Sequence, residues 1–124
     1  MHIAATYVAL HTLLLMTLAM LVLRQRWRSS VDIGDGGDPG LFRAIRVHAN
    51  AVEQAAPTFA ILILFALLGA PAWALHAFGA TTLAGRLAHA WGLAGGTPRM
   101  IWRQIGMGLT WTGLGLGALG LLVG

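Results

Sequence analysis

The sequence lacks cysteine and lysine, and charge of either sign is scarce in it. Without cysteine the chain has no disulfide, no thiolate metal site and no cysteine nucleophile, so any thiol chemistry needs a thiol from a bound ligand. Charged residues make up 10% of the 124 residues, whereas soluble domains average about 25%. Hydrophobic residues make up 57%. These values argue against a soluble globular protein and against a disordered chain.

Four apolar stretches account for nearly all of the chain. A bilayer core about 30 Å thick requires about 20 helical residues, and each stretch reaches that length. Segments rich in glycine, proline or both separate the stretches at 29–40, 69–71 and 95–98. We therefore predict an all-α fold, with a single membrane domain over residues 1–124 that forms a four-transmembrane-helix bundle. The predicted spans are about 3–23, 41–69, 72–93 and 100–123.

All eight basic residues are arginine, and most of them flank the apolar stretches. The first loop is surrounded by Arg24, Arg26, Arg28, Arg43 and Arg46, and the third by Arg99 and Arg103. The positive-inside rule therefore places loops one and three in the cytoplasm and both termini outside. We expect a multi-pass protein in contact with membrane lipids, located in the inner membrane if the source is bacterial. Nucleic acid is not expected as a partner, because the arginines do not form an exposed basic run.

One face of the second span carries a polar stripe. Its residues are spaced by 3, 4, 3 and 4 and fall within an arc of about 80°, namely Arg43, Arg46, Asn50, Glu53 and Pro57. The same membrane half contains Arg86, His89, Arg99 and Arg103. A charge at mid-bilayer costs about 2.5–3.5 kcal/mol on insertion scales, so such residues usually serve a function. These side chains could converge on one pocket that opens to the cytoplasm.

The residue types of this pocket suit a small, polar and mainly anionic ligand. Arginine binds carboxylates through paired, charge-assisted hydrogen bonds. Glu53 can hold an ammonium group, and Asn50 can donate or accept a hydrogen bond. The apolar flanks of the helices would admit a lipid-soluble second substrate.

Neither a metal ion nor haem is expected. The aspartates of segment 29–40 are faintly similar to a calcium loop, but an EF-hand needs glutamate at its twelfth position. Counting from Asp32, that position is Arg43. The histidines show no paired spacing on facing helices that would favour haem. We interpret His11 and His76 as hydrogen-bonded structural residues.

The stripe of the second span resembles the second-helix signature of the MAPEG family, the membrane-associated proteins of eicosanoid and glutathione metabolism: Arg43-x-x-Arg46-x-His48-x-Asn50-x-x-Glu53-x-x-x-Pro57. Two further motifs resemble the small bacterial branch of this family, Ile33-Gly34-Asp35-Gly36-Gly37 and Gly85-Arg86-x-x-His89. The resemblance implies a left-handed four-helix bundle that assembles as a homotrimer. It also implies that glutathione lies between neighbouring subunits at the cytoplasmic end.

Matched by position, the resemblance implies a glutathione site formed by Arg43, Arg46, Asn50, Glu53, Arg86 and His89. Arg43 matches a less uniform position of the family than the other residues of its helix. Arg86 and His89 match a third-helix segment in which eukaryotic enzymes often carry arginine with tyrosine or histidine. Glutathione would be a cosubstrate of this site.

The resemblance also implies the chemistry. The family's thiol-activating arginine near the start of helix four matches Arg103 or Arg99, and we favour Arg103 because it leads directly into that helix. A guanidinium stabilises a thiolate, which would then attack a lipophilic small molecule held in the bilayer. The implied function is glutathione transferase or glutathione-dependent peroxidase. Where eukaryotic members often have a glutathione-contacting tyrosine, this sequence has Leu93.

Three other interpretations compete with this one. The stripe could be an intramembrane ion-pair network that fixes helix register. The chain could be a non-catalytic binding or regulatory protein of the same fold, which would fit Leu93. It could also be a small four-helix multidrug exporter that uses Glu53 as a proton and substrate switch. Such a carboxylate should lie in an otherwise apolar helix, so the arginines and the amide of the stripe disfavour the exporter.

Overall fold

The computed structural model describes residues 1–93 and 99–123, and within these ranges the chain is helical and contains no strand. The four described helices are α1 (His2–Ser29), α2 (Pro39–Leu67), α3 (Ala72–Leu93) and α4 (Met100–Val123). The predicted all-α bundle is confirmed, and α3 and α4 have the predicted bounds. Most of the predicted third loop, at 95–98, lies outside the described residues.

Helix α1 is longer than its predicted span. It continues through the three arginines that follow the apolar stretch and ends at Ser29, where Ser30 adopts a left-handed conformation with φ 54°. The Arg26 guanidinium then donates to the carbonyl oxygens of Val31 at 3.3 Å and Gly34 at 2.9 Å. Because an arginine-rich turn is helix-compatible in water, the charges end the membrane-spanning part of α1 but not the helix itself.

Helix α2 begins and ends two residues earlier than predicted. The Asp38 carboxylate caps its first turn by accepting a hydrogen bond from the backbone N–H of Leu41 at 2.7 Å, and Pro39 provides a preset φ for the first helical position. At the other end Gly69 adopts φ 74°, which terminates the helix in the way typical of glycine.

Three helices, α1, α2 and α4, are long and apolar enough to cross a membrane. Helix α3 has 22 residues, about 33 Å of helix, but its polar residues lower its mean hydropathy. Its two charged or ionisable residues nearest the C-terminus, Arg86 and His89, are buried inside the bundle, whereas Trp73, Leu87 and Trp91 are exposed. The polar residues of this half of α3 therefore face the protein, and the outer surface of α3 is mainly apolar.

Helices α3 and α4 touch along their backbones. A Cβ atom added at Gly92 would overlap the backbone nitrogen of Arg103, and one added at Gly106 would overlap backbone atoms of His89 and Gly85. Side chains at these positions would hold the helices apart. This close contact brings the C-terminal half of α3 against the N-terminal half of α4, where the predicted site residues of both helices lie.

Among the described residues, the core has two apolar clusters with a polar layer between them. One cluster contains Ala4, Ile61, Leu62, Leu75 and Phe78. The other contains Leu18, Val47 and Ala51. Between these clusters the buried side chains are polar, namely His11, Thr58, Thr82, Arg86 and Thr110. The bundle therefore buries one arginine in a layer of hydroxyl and imidazole groups.

Candidate functional site

The Arg86 guanidinium lies at the centre of the site and joins three helices. Its Nε donates to the Thr110 hydroxyl of α4 at 3.0 Å, and its Nη1 donates to Asn50 Oδ1 of α2 at 2.5 Å. Its Nη2 donates to the Gly106 carbonyl oxygen at 3.5 Å. The Thr110 hydroxyl donates to the same carbonyl at 2.9 Å. Arg86 therefore fixes the relative positions of α2, α3 and α4.

Arg86 is 4% exposed, and its acceptors in the described residues are neutral. Within residues 1–93 and 99–123 we observe no arginine–carboxylate ion pair. A buried guanidinium without a counter-ion retains an uncompensated positive charge, which costs several kcal/mol. This charge favours an anionic group at the edge of the site, next to Asn50.

Asn50 lies at that edge, because its side chain is partly exposed while its oxygen accepts from Arg86. Since the amide oxygen is engaged, the amide N–H groups of Asn50 remain as donors for an acceptor outside the protomer core. The hydrogen bond from Arg86 therefore leaves Asn50 as a donor to other groups. The residue type alone left open whether Asn50 donates or accepts.

The stripe on α2 divides into an inner and an outer row. Arg43 and Asn50, seven residues apart, are partly exposed, whereas Arg46 and Glu53, also seven apart, are exposed. In the described part of the chain, neither outer residue forms an ion pair, so the interpretation of the stripe as an ion-pair network gains no support within one protomer. The outer row presents a cation and an anion outside the protomer core.

The predicted residues of α3 and α4 lie at the same end of the bundle. His89 is 3% exposed and packs against Gly106. Arg99 and Arg103 are both exposed. The Arg99 guanidinium lies 4.8 Å from the centroid of the Trp91 ring, the geometry of a cation–π contact.

Thr110 was not predicted as a site residue. It is fully buried and accepts directly from Arg86. The only signal was a hydroxyl residue four positions after Gly106 on an apolar helix, a pattern equally typical of a threonine that bonds its own helix backbone. The interpretation of His11 and His76 as hydrogen-bonded residues is confirmed. His11 Nδ1 is 2.8 Å from the Tyr7 carbonyl oxygen, and His76 Nδ1 is 3.2 Å from the Tyr7 hydroxyl.

Comparison with known proteins shows where this arrangement belongs. The profile of the MAPEG family matches residues 4–123. The inner membrane protein YecN of Escherichia coli K12 is 39% identical over 112 residues, which cover 90% of this chain and 84% of YecN. YecN of Escherichia coli O6:H1 (strain CFT073) has the same identity and coverage. No solved structure matches. The structure contains the polar stripe on α2 and the Arg86 contacts. Because the family profile covers nearly the whole chain, this membrane protein belongs to the MAPEG family.

Proposed function

We propose that this protein binds glutathione and transfers it to lipophilic electrophiles, or uses it to reduce lipophilic hydroperoxides. The observation that carries the proposal is the buried Arg86 charge, which has neutral acceptors in the described residues and lies beside a partly exposed amide donor. A carboxylate at this edge would compensate the charge. Glutathione offers two carboxylates, an ammonium group and the thiol that this cysteine-free chain lacks.

The α2 stripe has the groups that such a tripeptide needs. Arg46 and Arg43 would pair with its carboxylates, and the N–H groups of Asn50 would donate to one of them. Glu53 would hold the ammonium group. His89, which is buried on α3 and whose backbone contacts Gly106 of α4, would shape the inner wall of the site.

Arg103 would activate the thiol. Most of a free thiol is protonated at pH 7, and a neighbouring guanidinium favours the thiolate. Arg99 stacks on Trp91, which supports Arg103 as the thiol-activating residue. In the transferase reaction the thiolate sulfur forms a bond to an electrophilic carbon and displaces a leaving group or opens a strained ring. In the peroxidase reaction two glutathione molecules are oxidised to the disulfide, while the hydroperoxide is reduced to an alcohol and water.

The exposed outer row supports an assembly of several copies, which we propose to be a homotrimer. Glu53 lies 14 residues before the end of α2 at Leu67, about 21 Å along the helix, so a lone protomer would direct a carboxylate towards the hydrocarbon. A charge there costs about 2.5–3.5 kcal/mol on insertion scales. A neighbouring subunit with glutathione between the two would cover it. The assembly would lie in the inner membrane, with loops one and three in the cytoplasm.

Calorimetric titration of glutathione into detergent-purified protein tests the proposal. Wild type should bind, Arg46→Leu should lose at least tenfold in affinity, and Arg28→Leu should bind normally. Arg28 is the matched control because it is an exposed arginine in the last turn of α1 and does not belong to the stripe on α2. Absence of binding to wild type would refute the glutathione site.

A second function is favoured by one packing feature. Leu93, at the position where eukaryotic members often have a tyrosine, packs against the apolar cluster of Leu18, Val47 and Ala51. It therefore contributes to the core and provides no hydroxyl near glutathione. This feature favours a protein that binds glutathione without turnover. A chromogenic electrophile assay at saturating glutathione separates the two functions, because only the transferase consumes the electrophile.

A further inference from the structure

His11 occupies the middle of the buried face of α1. It lies seven residues from Ala4 and seven from Leu18, and the three are buried together. Its side chain is 4% exposed. The neighbouring Phe59 ring meets it edge-on at a centroid distance of 6.1 Å. A leucine at this position would continue the apolar face of α1, so an imidazole here requires hydrogen-bond partners.

Only one ring nitrogen of His11 has such a partner in the described part of the chain. Nδ1 is 2.8 Å from the Tyr7 carbonyl oxygen. Because a carbonyl accepts only, Nδ1 carries a proton and donates it, which makes Nε2 of the neutral ring an acceptor. Nε2 is buried and has no hydrogen-bond partner among residues 1–93 and 99–123. Such unsatisfied buried atoms are rare in folded proteins.

His11 lines a small cavity. Its volume is about 10 Å³, the space of about one water molecule. The polar residues of its wall are His11, Gln54, Thr58 and Arg86, and the apolar ones are Leu14, Leu15, Ala51 and Ala55. The Thr58 hydroxyl already donates to the Gln54 carbonyl oxygen at 2.7 Å. His11, Gln54 and Arg86 are therefore candidate partners of a water, and the Thr58 hydroxyl can still accept a hydrogen bond from it.

Among the residues that the structure describes, one N–H group of Arg86 has no acceptor. A guanidinium carries five N–H groups. Its hydrogen bonds to Thr110, Asn50, Gly106 and Met107 use four of them, and the fifth lies on Nη1. Two residues that line this cavity thus offer, within the described part of the chain, a surplus donor and a surplus acceptor. A water that accepts from Arg86 and donates to His11 Nε2 would satisfy both, and its second hydrogen could reach the amide oxygen of Gln54.

We propose that this cavity binds a single structural water that bridges His11 on α1 to Arg86 on α3. His11 is then a positioning residue: it holds the guanidinium in the orientation in which Nη1 meets Asn50. The water site stands independently of glutathione. The effect of the water on ligand binding would be transmitted by Arg86 and Asn50. That effect rests on the proposed function.

Solid-state NMR of the protein in lipid bilayers, with ¹⁵N-labelled histidine and arginine and without glutathione, tests the bridge. The His11 signals are identified by their loss in His11→Phe. The expected result is a ring protonated at Nδ1, an Nε2 shift typical of a hydrogen-bonded acceptor, and polarisation transfer from water protons to Nε2. An Nε2 signal without hydrogen bonding, or without transfer from water, would overturn the proposal.

Two further variants distinguish a His11 side chain that binds a bridging water from one that only fills space in the core. His11→Gln places a polar group at the Nε2 position, whereas His11→Asn reaches only the Nδ1 position. Polarisation transfer from water protons to the Arg86 guanidinium should persist in His11→Gln and be lost in His11→Asn. Equal transfer in both variants, or its persistence in His11→Phe, would overturn the bridge. Because no glutathione is present, this outcome is distinct from failure of the glutathione site.

Discussion

Arg86 on α3 donates to the amide oxygen of Asn50 on α2 at 2.5 Å, so a residue of the polar stripe is held by a buried cation of another helix. Substitutions at Asn50 can therefore change the stability of the protein and its affinity for the ligand separately. Asn50→Asp keeps an oxygen for Arg86 but replaces the N–H donors with a second oxygen. Asn50→Leu removes both.

We predict that Asn50→Leu destabilises the protein by about 1–3 kcal/mol, because it leaves a buried guanidinium N–H without its acceptor. Asn50→Asp should retain wild-type stability or exceed it, since a carboxylate beside Arg86 compensates the charge. Thermal unfolding in detergent measures both. Equal destabilisation by the two substitutions would show that Arg86 does not depend on this oxygen.

Thr110→Val should destabilise the protein by a similar amount, about 1–3 kcal/mol. Valine has the shape of threonine but lacks the hydroxyl that accepts from Arg86 Nε. Thr110→Ser keeps the hydroxyl and is the control, with a smaller loss from the missing methyl group. If valine is tolerated as well as serine in the same unfolding assay, the Arg86–Thr110 bond contributes no stability.

Gly106→Ala should cost about 1–3 kcal/mol, as expected for an overpacked contact. Its Cβ would overlap backbone atoms of His89 and Gly85, so α3 and α4 would have to separate. Gly108→Ala is the matched control, because a Cβ at Gly108 meets no atom within 4 Å. Helix propensity favours alanine by about 1 kcal/mol at both positions. Equal unfolding temperatures for the two variants would contradict the close packing.

Arg103→Leu should lower turnover by about 10²-fold, the magnitude typical of losing one charge-stabilising donor. Glutathione affinity should change little, because the stripe on α2 remains. Arg99→Leu should lose its contact with Trp91 and keep most of its turnover. A chromogenic electrophile assay with a parallel glutathione titration measures both quantities. The reverse ranking of the two variants would assign the thiol to Arg99.

The cysteine-free chain allows a direct test of orientation. Ile33, 91% exposed in the first loop, and Leu68, 68% exposed at the end of α2, are suitable single-cysteine sites. A membrane-impermeant maleimide should label Leu68→Cys in intact spheroplasts and Ile33→Cys only after permeabilisation. Wild type, without cysteine, gives the background. Labelling of Ile33→Cys in intact spheroplasts would reverse the predicted topology.

Composition and turn residues were sufficient to predict four helices and approximate bounds for α3 and α4 that agree with the structure. The glycines and prolines between the apolar stretches fix where helices stop. They do not fix how far charged turns continue, which is why the extension of α1 to Ser29 was missed. The last turns of α1 are helical because their residues have favourable helix propensity, although they are polar.

Spacing along one helix also predicted the stripe on α2, but it did not predict how the stripe divides. The rotation of α2 against its neighbours decides that Asn50 meets Arg86 while Arg46 and Glu53 stay exposed. That rotation depends on packing between helices distant in sequence. For the same reason Thr110 was not recognisable as a partner of Arg86, although its hydroxyl lies only 3.0 Å from Nε.

The most direct test of the glutathione site is calorimetric titration of glutathione into wild type and Asn50→Asp, each shown to be folded by thermal unfolding. We expect wild type to bind glutathione, and Asn50→Asp to be as stable as wild type but at least tenfold weaker in affinity. Its second oxygen would repel the carboxylate that the amide N–H groups of Asn50 hold. Equal affinity of the two proteins, or no binding to wild type, would contradict it.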